Sequence, residues 1–276
     1  MTTLPMPALE LSNLAGSPLL TDDALFEACN VRIAFTGRVG GTSEGAYASL
    51  NTGGHVDDDP RCVAQNRRAI LKAIGANAAP LIVPNQVHGT HVARIAEMVD
   101  VGRVAAEVLD GRDAVQIDVP GVAAMLNFAD CLPLIIVAPS GRFVIAHAGW
   151  RGAVAHIASI AARSLAQEGE GPDTFNAYIG PHIGVECFEV GEEVVEQFAA
   201  EFGGTVVLGN RHINLARAVT LDLESAGMSP ERIANCGICT MCHPDEYFSY
   251  RASGGTCGRQ SATAFRSYPE DERVKR

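Results

Sequence analysis

The chain lacks the features that would direct it into a membrane or out of the cell. Its longest apolar stretch, Leu132 to Val137, is only as long as a strand, whereas a membrane-spanning helix needs about 20 apolar residues. Residues Met1 to Leu11 contain no basic region ahead of an apolar run, so we expect no signal peptide. These absences predict a cytoplasmic protein that does not span a membrane.

Charged residues are also scarce, and acidic residues predominate among them. They make up 19% of the 276 residues, and the formal net charge is −11 at pH 7. An acidic surface repels nucleic acids and anionic membranes, so we expect neither as a partner. A small anionic substrate is still compatible with this charge, because a few arginines inside a pocket can outweigh the overall field locally.

Internal repeats and low-complexity tracts are absent, while cysteine is frequent. In a chain of this length without a secretion signal, we interpret the eight cysteines as reduced thiols, some of them ligands. The spacing of Cys236, Cys239 and Cys242, followed later by Cys257, is compatible with a second metal as structural zinc or an iron–sulfur site. Packed thiols would explain the same cysteines, and both interpretations stay open.

Hydrophobic periodicity predicts an α+β fold with mixed or antiparallel sheets and helices packed outside them. Strands do not alternate regularly with helices, which argues against a doubly wound parallel sheet. Residues 1–28 are rich in Pro, Ser, Thr and Asp and are expected to form a loose lead-in to a single domain over 29–276. The predicted helices cover 60–73, 152–166, 190–202 and 214–225, and the predicted strands cover 31–35, 81–83, 91–95, 113–117, 122–128, 132–137, 143–147 and 175–179.

Three segments place metal-capable side chains at the borders of apolar runs, where a rigid backbone can aim a side chain into a cleft. These segments are Asn85-Gln86-Val87-His88-Gly89-Thr90-His91, Ala129-Asp130-Cys131-Leu132-Pro133 and Ala146-His147-Ala148-Gly149-Trp150-Arg151-Gly152. One thiolate with imidazoles and an open fourth position suits a catalytic zinc ion. His88 and His91 are competing ligands, because on an extended segment they point to opposite faces.

Turn geometry relates two of these ligands. If residues 139–141 form a three-residue hairpin turn, Pro133 pairs with His147, and Cys131 lies diagonally across from His147 on the same face. Diagonal neighbours lie about 7–8 Å apart, so one ion can bridge their side chains. A two-residue turn would place the two side chains on opposite faces.

These segments, with further motifs in the same order, resemble the YfiH family, whose members are also called laccase-domain proteins, polyphenol oxidases or peptidoglycan editing factor PgeF. The resemblance covers about residues 31–265. Its other motifs include Gly40-Gly41-Thr42-Ser43-Glu44-Gly45, Ser49-Leu50-Asn51, His55-Val56-Asp57-Asp58-Asp59-Pro60, Asn66-Arg67, Ile179-Gly180-Pro181, Glu189-Val190-Gly191, Cys239-Thr240, Phe248-Ser249-Tyr250-Arg251 and Gly258-Arg259.

The resemblance implies a purine nucleoside phosphorylase, which cleaves adenosine, inosine, guanosine or methylthioadenosine with phosphate and can also deaminate adenosine. It implies that His88, Cys131 and His147 are both the metal ligands and the catalytic residues. The implied metal is zinc, with copper as the alternative. The implied fold is a sandwich of mixed sheets flanked by helices, which also occurs in cysteine deamidase toxins.

Phosphorolysis requires a phosphate held against the anomeric carbon, and arginine suits this task because a guanidinium binds phosphate oxygens in a bidentate manner. Four arginines lie beside glycines or within polar motifs, and the motifs of the resemblance add three shorter polar side chains. The expected substrate-binding residues are therefore Arg38, Ser43, Asn51, Asp130, Arg151, Arg251 and Arg259.

Two other functions remain as alternatives. The first is a copper-dependent polyphenol oxidase. The resemblance to laccases implies His-x-His pairs as copper ligands, but none of the eight histidines here forms such a pair. The second is a hydrolase that edits peptidoglycan precursors with Cys131 as nucleophile and His147 as base. The sequence decides neither the preferred nucleoside nor the oligomeric state.

Overall fold

The computed structural model describes residues 3–14, 16–209 and 211–269, and its centre is a sandwich of two six-stranded mixed sheets. The strands of the first sheet are, in spatial order, Glu10–Leu14 (β1), Ser17–Thr21 (β2), Val31–Thr36 (β3), Gln260–Arg266 (β14), Ala123–Phe128 (β7) and Leu81–Ile82 (β4). Those of the second sheet are Ile233–Asn235 (β13), Asn176–Ile179 (β10), Leu132–Val137 (β8), Phe143–Ala148 (β9), Ala114–Ile117 (β6) and Val92–Ile95 (β5). A separate small hairpin joins Val207–Leu208 (β11) and His212–Ile213 (β12).

Parallel and antiparallel pairs occur in both large sheets. β4 runs parallel to β7, β5 to β6, and β10 to β13, whereas the remaining described pairs are antiparallel. The helices are Asp23–Cys29 (α1), Pro60–Ala73 (α2), Val101–Glu107 (α3), Trp150–Val154 (α4), Ile157–Leu165 (α5), Glu192–Phe202 (α6) and Leu215–Ser225 (α7). The predicted α+β class with mixed sheets is confirmed.

The alternation of side chains along a strand explains why the sheets are buried on both faces. On β8, Ile135 and Val137 point into the core between the sheets, while Leu134 and Ile136 pack against the helical layer. A strand covered on both faces has a continuous apolar sequence, as β8 has. The outer face of the second sheet is covered by α4 to α7, and that of the first by α2.

The amino-terminal segment is a correction to the sequence-based prediction. Instead of a loose lead-in, most of the described part of residues 10–28 lies in β1, β2 and α1, and β2 pairs with β3 inside the first sheet. Leu19 and Leu25 are buried there, and Asp22 caps α1 and accepts a hydrogen bond from the Tyr178 hydroxyl. The polar composition of the segment concealed these anchors, because only a few apolar side chains hold it against the sheet.

The predicted helix over 152–166 is divided into α4 and α5. His156, between them, has a positive φ of 64°, which interrupts the helical hydrogen bonds. The other predicted helices agree with the structure to within about two residues, and Asp59 caps α2 through its side chain. Within the described ranges, no helix is long and apolar enough to cross a membrane.

Candidate metal centre and active-site cavity

The hairpin of β8 and β9 brings Cys131 and His147 together. Pro133 pairs with His147 across this hairpin, which is the register expected from a three-residue turn. Cys131 lies in the short connection before β8, and His147 lies on β9. His88 comes from the loop after β4, and its ligand atom lies within 4.8 Å of those of the other two residues. We call His88, Cys131 and His147 the Cys–His–His group.

The donor atoms of this group fit a zinc ion. In a tetrahedral zinc site, bonds of about 2.3 Å to sulfur and about 2.0–2.1 Å to nitrogen place the two ligand atoms about 3.5 Å apart. The Cys131 sulfur lies 3.8 Å from Nε2 of His88. His91 does not belong to the group, and its side chain is exposed. Three ligands from a thiolate and two imidazoles leave the fourth position open, as in catalytic zinc sites.

Asp113 supports two of the three ligands, and the sequence analysis did not single it out. Its buried carboxylate accepts hydrogen bonds from the backbone N–H groups of Val87, His88 and Gly89, and it lies 2.8 Å from Nδ1 of His147. Because a carboxylate accepts hydrogen bonds, Nδ1 of His147 carries a proton towards Asp113, which leaves Nε2 as the nitrogen that can bind an ion. An isolated acidic residue at the start of an apolar strand was the available signal.

The electrostatics of the group favour the thiolate that binds a metal. Burial opposes ionisation of Cys131, but His147 and His88 outweigh it and lower the pKa of the thiol to about 6. Burial also opposes a charge on His147, yet Cys131 and Asp113 raise its pKa to about 9. The group therefore ionises its cysteine near neutral pH, and an ion that binds displaces the proton from His147.

A cavity of about 490 Å³ opens beside the Cys–His–His group. This volume is in the range of small-molecule sites. Besides the three ligands, the cavity is lined by His55, Gln86, Asn127, Phe128, Ala129, Asp130, Ile183, Phe188, Tyr250, Arg251 and Arg259. One part of the lining is apolar or aromatic, and another part carries two guanidinium groups, so the cavity can hold a molecule with both a ring system and an anionic group.

The two arginines of the cavity keep their charges available. Among the described residues, neither Arg251 nor Arg259 takes part in an ion pair. Their guanidinium groups donate instead to backbone carbonyls, that of Arg251 to Glu189 and that of Arg259 to Cys257 and Gly258. Burial, followed by the charge of Arg259, lowers the pKa of His55. The guanidinium groups of Arg251 and Arg259 form the positive part of the lining.

The expected substrate-binding residues do not all lie in the cavity. Asp130, Arg251 and Arg259 line it, whereas Arg38, Ser43, Asn51 and Arg151 are outside its lining. The carboxylate of Asp130 already accepts hydrogen bonds from the Thr240 hydroxyl and from the backbone N–H of Arg251.

The residues outside the lining have structural contacts. Arg38 donates to the carbonyls of Ala48 and Pro244 and stacks on Phe248, and Arg151 stacks on Trp150. The side chain of Asn51 accepts a hydrogen bond from the backbone N–H of Arg259 and thereby holds that residue beside the cavity. Ser43 donates to Asp58.

Several residues of the cavity were missed by sequence reasoning. Gln86 exchanges two hydrogen bonds with the backbone of Asn127, which fixes the loop that carries His88 against β7. His55, Gln86 and Tyr250 belong to motifs of the resemblance, so their position in those motifs was the available signal. Ile183 and Phe188 had no comparable signal, because apolar residues in a connecting segment are equally consistent with core packing.

A second group of potential ligands differs from the set that cysteine spacing predicted. It contains Glu186, Cys187, Cys239 and Cys242, whose ligand atoms lie within 4.8 Å of one another. We call these four residues the thiol cluster. Cys236 packs instead against the core between the sheets, and Cys257 packs with Phe248 and Ala129. The sequence could not indicate Cys187, because it is more than 50 residues away from the other two.

A two-sheet sandwich with a Cys–His–His group that could hold a metal ion, beside a cavity of small-molecule size, has the features of an enzyme that acts on small molecules. The chain belongs to the family described as multi-copper polyphenol oxidoreductase laccase, whose sequence profile matches residues 32–267. The predicted relationship to the YfiH and laccase-domain proteins is thereby confirmed.

The names of the similar proteins give two different activities, purine nucleoside phosphorylase and adenosine deaminase. The chain is 36% identical over 267 residues to a purine nucleoside phosphorylase of Deinococcus radiodurans, with 95% of this chain and 94% of that protein covered. It is 33% identical over 232 residues to adenosine deaminase RL5 of an unknown prokaryotic organism, with 80% and 88% covered. The structure of YlmD from Geobacillus stearothermophilus has a TM-score of 0.83, 30% identity and coverage of 95% of this chain and all of that one.

Proposed function

We propose that the chain is a zinc-dependent purine nucleoside phosphorylase. The observation that carries this proposal is the cavity in which Arg251 and Arg259, both outside any ion pair of the described residues, lie beside the Cys–His–His group. A metal centre together with free guanidinium groups matches a reaction between phosphate and a neutral nucleoside. The relative named purine nucleoside phosphorylase from Deinococcus radiodurans supports the same assignment.

In this reaction a phosphate oxygen forms a bond to the anomeric carbon of the nucleoside while the glycosidic bond to the purine breaks. The purine leaves with the bonding electron pair and is protonated, and the products are free base and ribose 1-phosphate. Arg251 and Arg259 hold the phosphate dianion and offset its charge, and His55 can donate a further hydrogen bond. Phe188 and Tyr250 provide apolar and aromatic surface for the purine.

His88, Cys131 and His147 would hold the zinc ion, which supplies Lewis acidity when it is bound. Asp113 orients His147 and the backbone of the His88 loop. Gln86 holds the same loop against β7. Closing the substrate between the apolar and the positive parts of the lining excludes water, which strengthens the electrostatic contacts with phosphate.

Adenosine deamination is a second candidate activity. The relative named adenosine deaminase RL5 favours it, and so does the open fourth position of a zinc site with three protein ligands. The copper oxidase alternative is less well supported, because the Cys–His–His group provides ligands for one ion and contributes only two histidines. The cytoplasm, our proposed location, suits eight cysteines that are all free.

Incubation of the purified protein with adenosine, with and without phosphate, tests these activities. We expect adenine and ribose 1-phosphate to form only with phosphate, and a smaller amount of inosine to form in both mixtures. Removing the metal should abolish both reactions, and zinc should restore them. Absence of phosphate-dependent base release would defeat the main proposal. Base release by the metal-free protein without phosphate, which C131A abolishes, would favour a hydrolase with a Cys131 nucleophile and a His147 base.

A further inference from the structure

Two turns of the backbone lie side by side next to the cavity, and each contributes half of the thiol cluster. His182 and Cys239 form an isolated parallel bridge, in which the Thr240 N–H donates to the His182 carbonyl. The following turn begins at Gly184, whose carbonyl accepts from the N–H groups of Cys187 and Phe188. Glu186 and Cys187 on one turn therefore face Cys239 and Cys242 on the other.

Two of the distances between ligand atoms are close to those of a tetrahedral zinc site. Two sulfurs bound to one zinc ion lie about 3.8 Å apart, and a sulfur and an oxygen about 3.6 Å apart, given the usual bond lengths. The sulfurs of Cys187 and Cys242 are 3.5 Å apart, and the Cys242 sulfur is 3.5 Å from Oε1 of Glu186. All four ligand atoms lie within 4.8 Å of one another, so no large movement is needed to enclose an ion.

We propose that Glu186, Cys187, Cys239 and Cys242 bind a second, structural zinc ion. Three thiolates and one carboxylate complete a tetrahedral shell, so this site has no open position for a substrate. Thiolate ligands select zinc over magnesium and calcium, which prefer oxygen. Cys239 is buried while Cys242 and Glu186 are exposed, and this exposure gives the ion a route from solvent. This second site shares no residue with the Cys–His–His group and takes no part in the proposed reaction.

The ion would brace one wall of the cavity. Ile183 and Phe188, which flank the first turn, line the cavity. On the second turn, the Thr240 hydroxyl donates to Asp130, whose other carboxylate oxygen accepts from the backbone N–H of Arg251. A crosslink between the two turns therefore holds Arg251 and the apolar wall in place, so its loss affects substrate binding more than the chemical step.

Metal content tests this proposal directly. The full chain is produced in medium with added zinc, purified with a thiol reductant and without chelator, and analysed by mass spectrometry for metals per chain. We expect two zinc ions in the wild type and one in each of C131A and C242A. The matched control is C62A, because Cys62 lies on α2 outside both groups, and it should keep two. Equal zinc in C242A and C62A would overturn the proposal.

Cobalt provides a second readout that does not depend on the first metal centre. In C131A loaded with Co²⁺, we expect a near-ultraviolet band of thiolate-to-cobalt charge transfer, and this band should disappear in C131A/C242A. If C242A does not fold, E186A replaces it, because Glu186 is exposed, and we expect about tenfold weaker binding at this site. A band that persists in the double variant, or copper or iron in place of zinc at this site, would contradict the proposal.

Activity distinguishes this proposal from the proposed function. C242A should raise KM for the nucleoside or phosphate severalfold and leave kcat close to that of C62A. A protein that binds two zinc ions but releases no base would retain the second site and refute the phosphorylase. A protein with phosphorolytic activity and one zinc ion that depends only on Cys131 would support the phosphorylase and refute the second zinc site.

Discussion

Single residues determine how closely the three ligands of the Cys–His–His group approach one another. Gly149 leaves room for the imidazole of His88, because a methyl group at this position would lie 2.6 Å from its ring and 3.3 Å from the Cys131 sulfur. Asp113 acts through hydrogen bonds to the His88 loop and to His147. One residue contributes by having no side chain and the other by a buried charge, and neither is itself a ligand.

Replacing Gly149 by alanine should displace His88 and lower the affinity for zinc roughly tenfold or more, as other losses of ligand support do. The φ of Gly149 is −69°, so alanine adopts the backbone conformation without strain, and the effect comes from the added methyl group. The control is G102A, because a methyl group at Gly102 meets nothing within 4 Å. Zinc competition with a chromophoric chelator measures the affinity, and equal values for the two variants would contradict this account.

Replacing Asp113 by asparagine should weaken zinc binding by about 10–100-fold and reduce kcat. Asparagine keeps only one acceptor oxygen, so its amide nitrogen replaces either the acceptor for Val87 and Gly89 or the acceptor for His88 and His147. The comparison variant is D118N, which changes an acidic residue just after the same strand, outside the cavity lining. Titration calorimetry with zinc checks the prediction, which is wrong if D113N binds zinc as tightly as D118N.

At the scale of elements, the β8–β9 hairpin carries the site because its turn sets the register. Glu170 is buried and holds this turn by accepting hydrogen bonds from the N–H and hydroxyl of Ser140 and from the Arg142 guanidinium. A shift of one residue would move every side chain of a strand to the opposite face. The turn therefore determines whether Cys131 and His147 share a face.

Replacing Glu170 by alanine should lower the free energy of unfolding by about 3 kcal/mol, because it leaves the buried Arg142 without its close carboxylate partner. Zinc affinity should change little, since six residue pairs of the two strands still maintain the register. Urea unfolding of E170A measures the stability, with E168A as the control at an exposed position of the same segment. A loss below about 1 kcal/mol would mean that the ion pair contributes little.

At the scale of the whole molecule, the sandwich and its helical layer are joined by packed apolar side chains and by a few polar contacts. His156, between α4 and α5, bonds to Asp222 of α7 through Nδ1 and to Glu201 of α6 through Nε2, each at 2.8 Å. A neutral imidazole has only one N–H, so both bonds to carboxylates require the charged form. Burial opposes this charge, but Asp222 and Glu201 outweigh it and raise the pKa of His156.

The stability of the fold should consequently depend on pH through His156. Because its pKa is raised on folding, its stabilisation is complete below the unfolded value of about 6.5 and is lost as the pH rises through the folded-state pKa. The difference in unfolding free energy between wild type and H156N should be about 1 kcal/mol or less, because His156 is 40% exposed, and should decrease from pH 6 to pH 9. Asparagine tolerates the positive φ. The control is H91N, at an exposed position, and a constant difference across this range would contradict the assignment.

Contacts between neighbouring segments could be predicted from the sequence, whereas contacts between distant segments could not. The sequence predicted that β8 and β9 form a hairpin, because these contacts are local, but it left two turn lengths open. The structure has the register of the three-residue turn, which brings Cys131 and His147 together. Asp113 and Cys187 were missed, because their partners are distant in the chain. The strands before residue 23 were missed because their anchors, Leu19 and Leu20, are few, and their burial depends on pairing with β3.

The sequence by itself determined the α+β class, most of the helices and strands, the family and three candidate ligands, since these depend on local periodicity and on motifs. The motifs already favoured His88 over His91, and the structure places His88 beside Cys131 and His147. Only the tertiary structure decided that Arg251 and Arg259 line the cavity while Arg38 and Arg151 do not, and that Cys187 and Glu186 lie beside Cys239 and Cys242. The physical reason is that these choices depend on contacts between segments far apart in the chain, which form only when the two sheets pack.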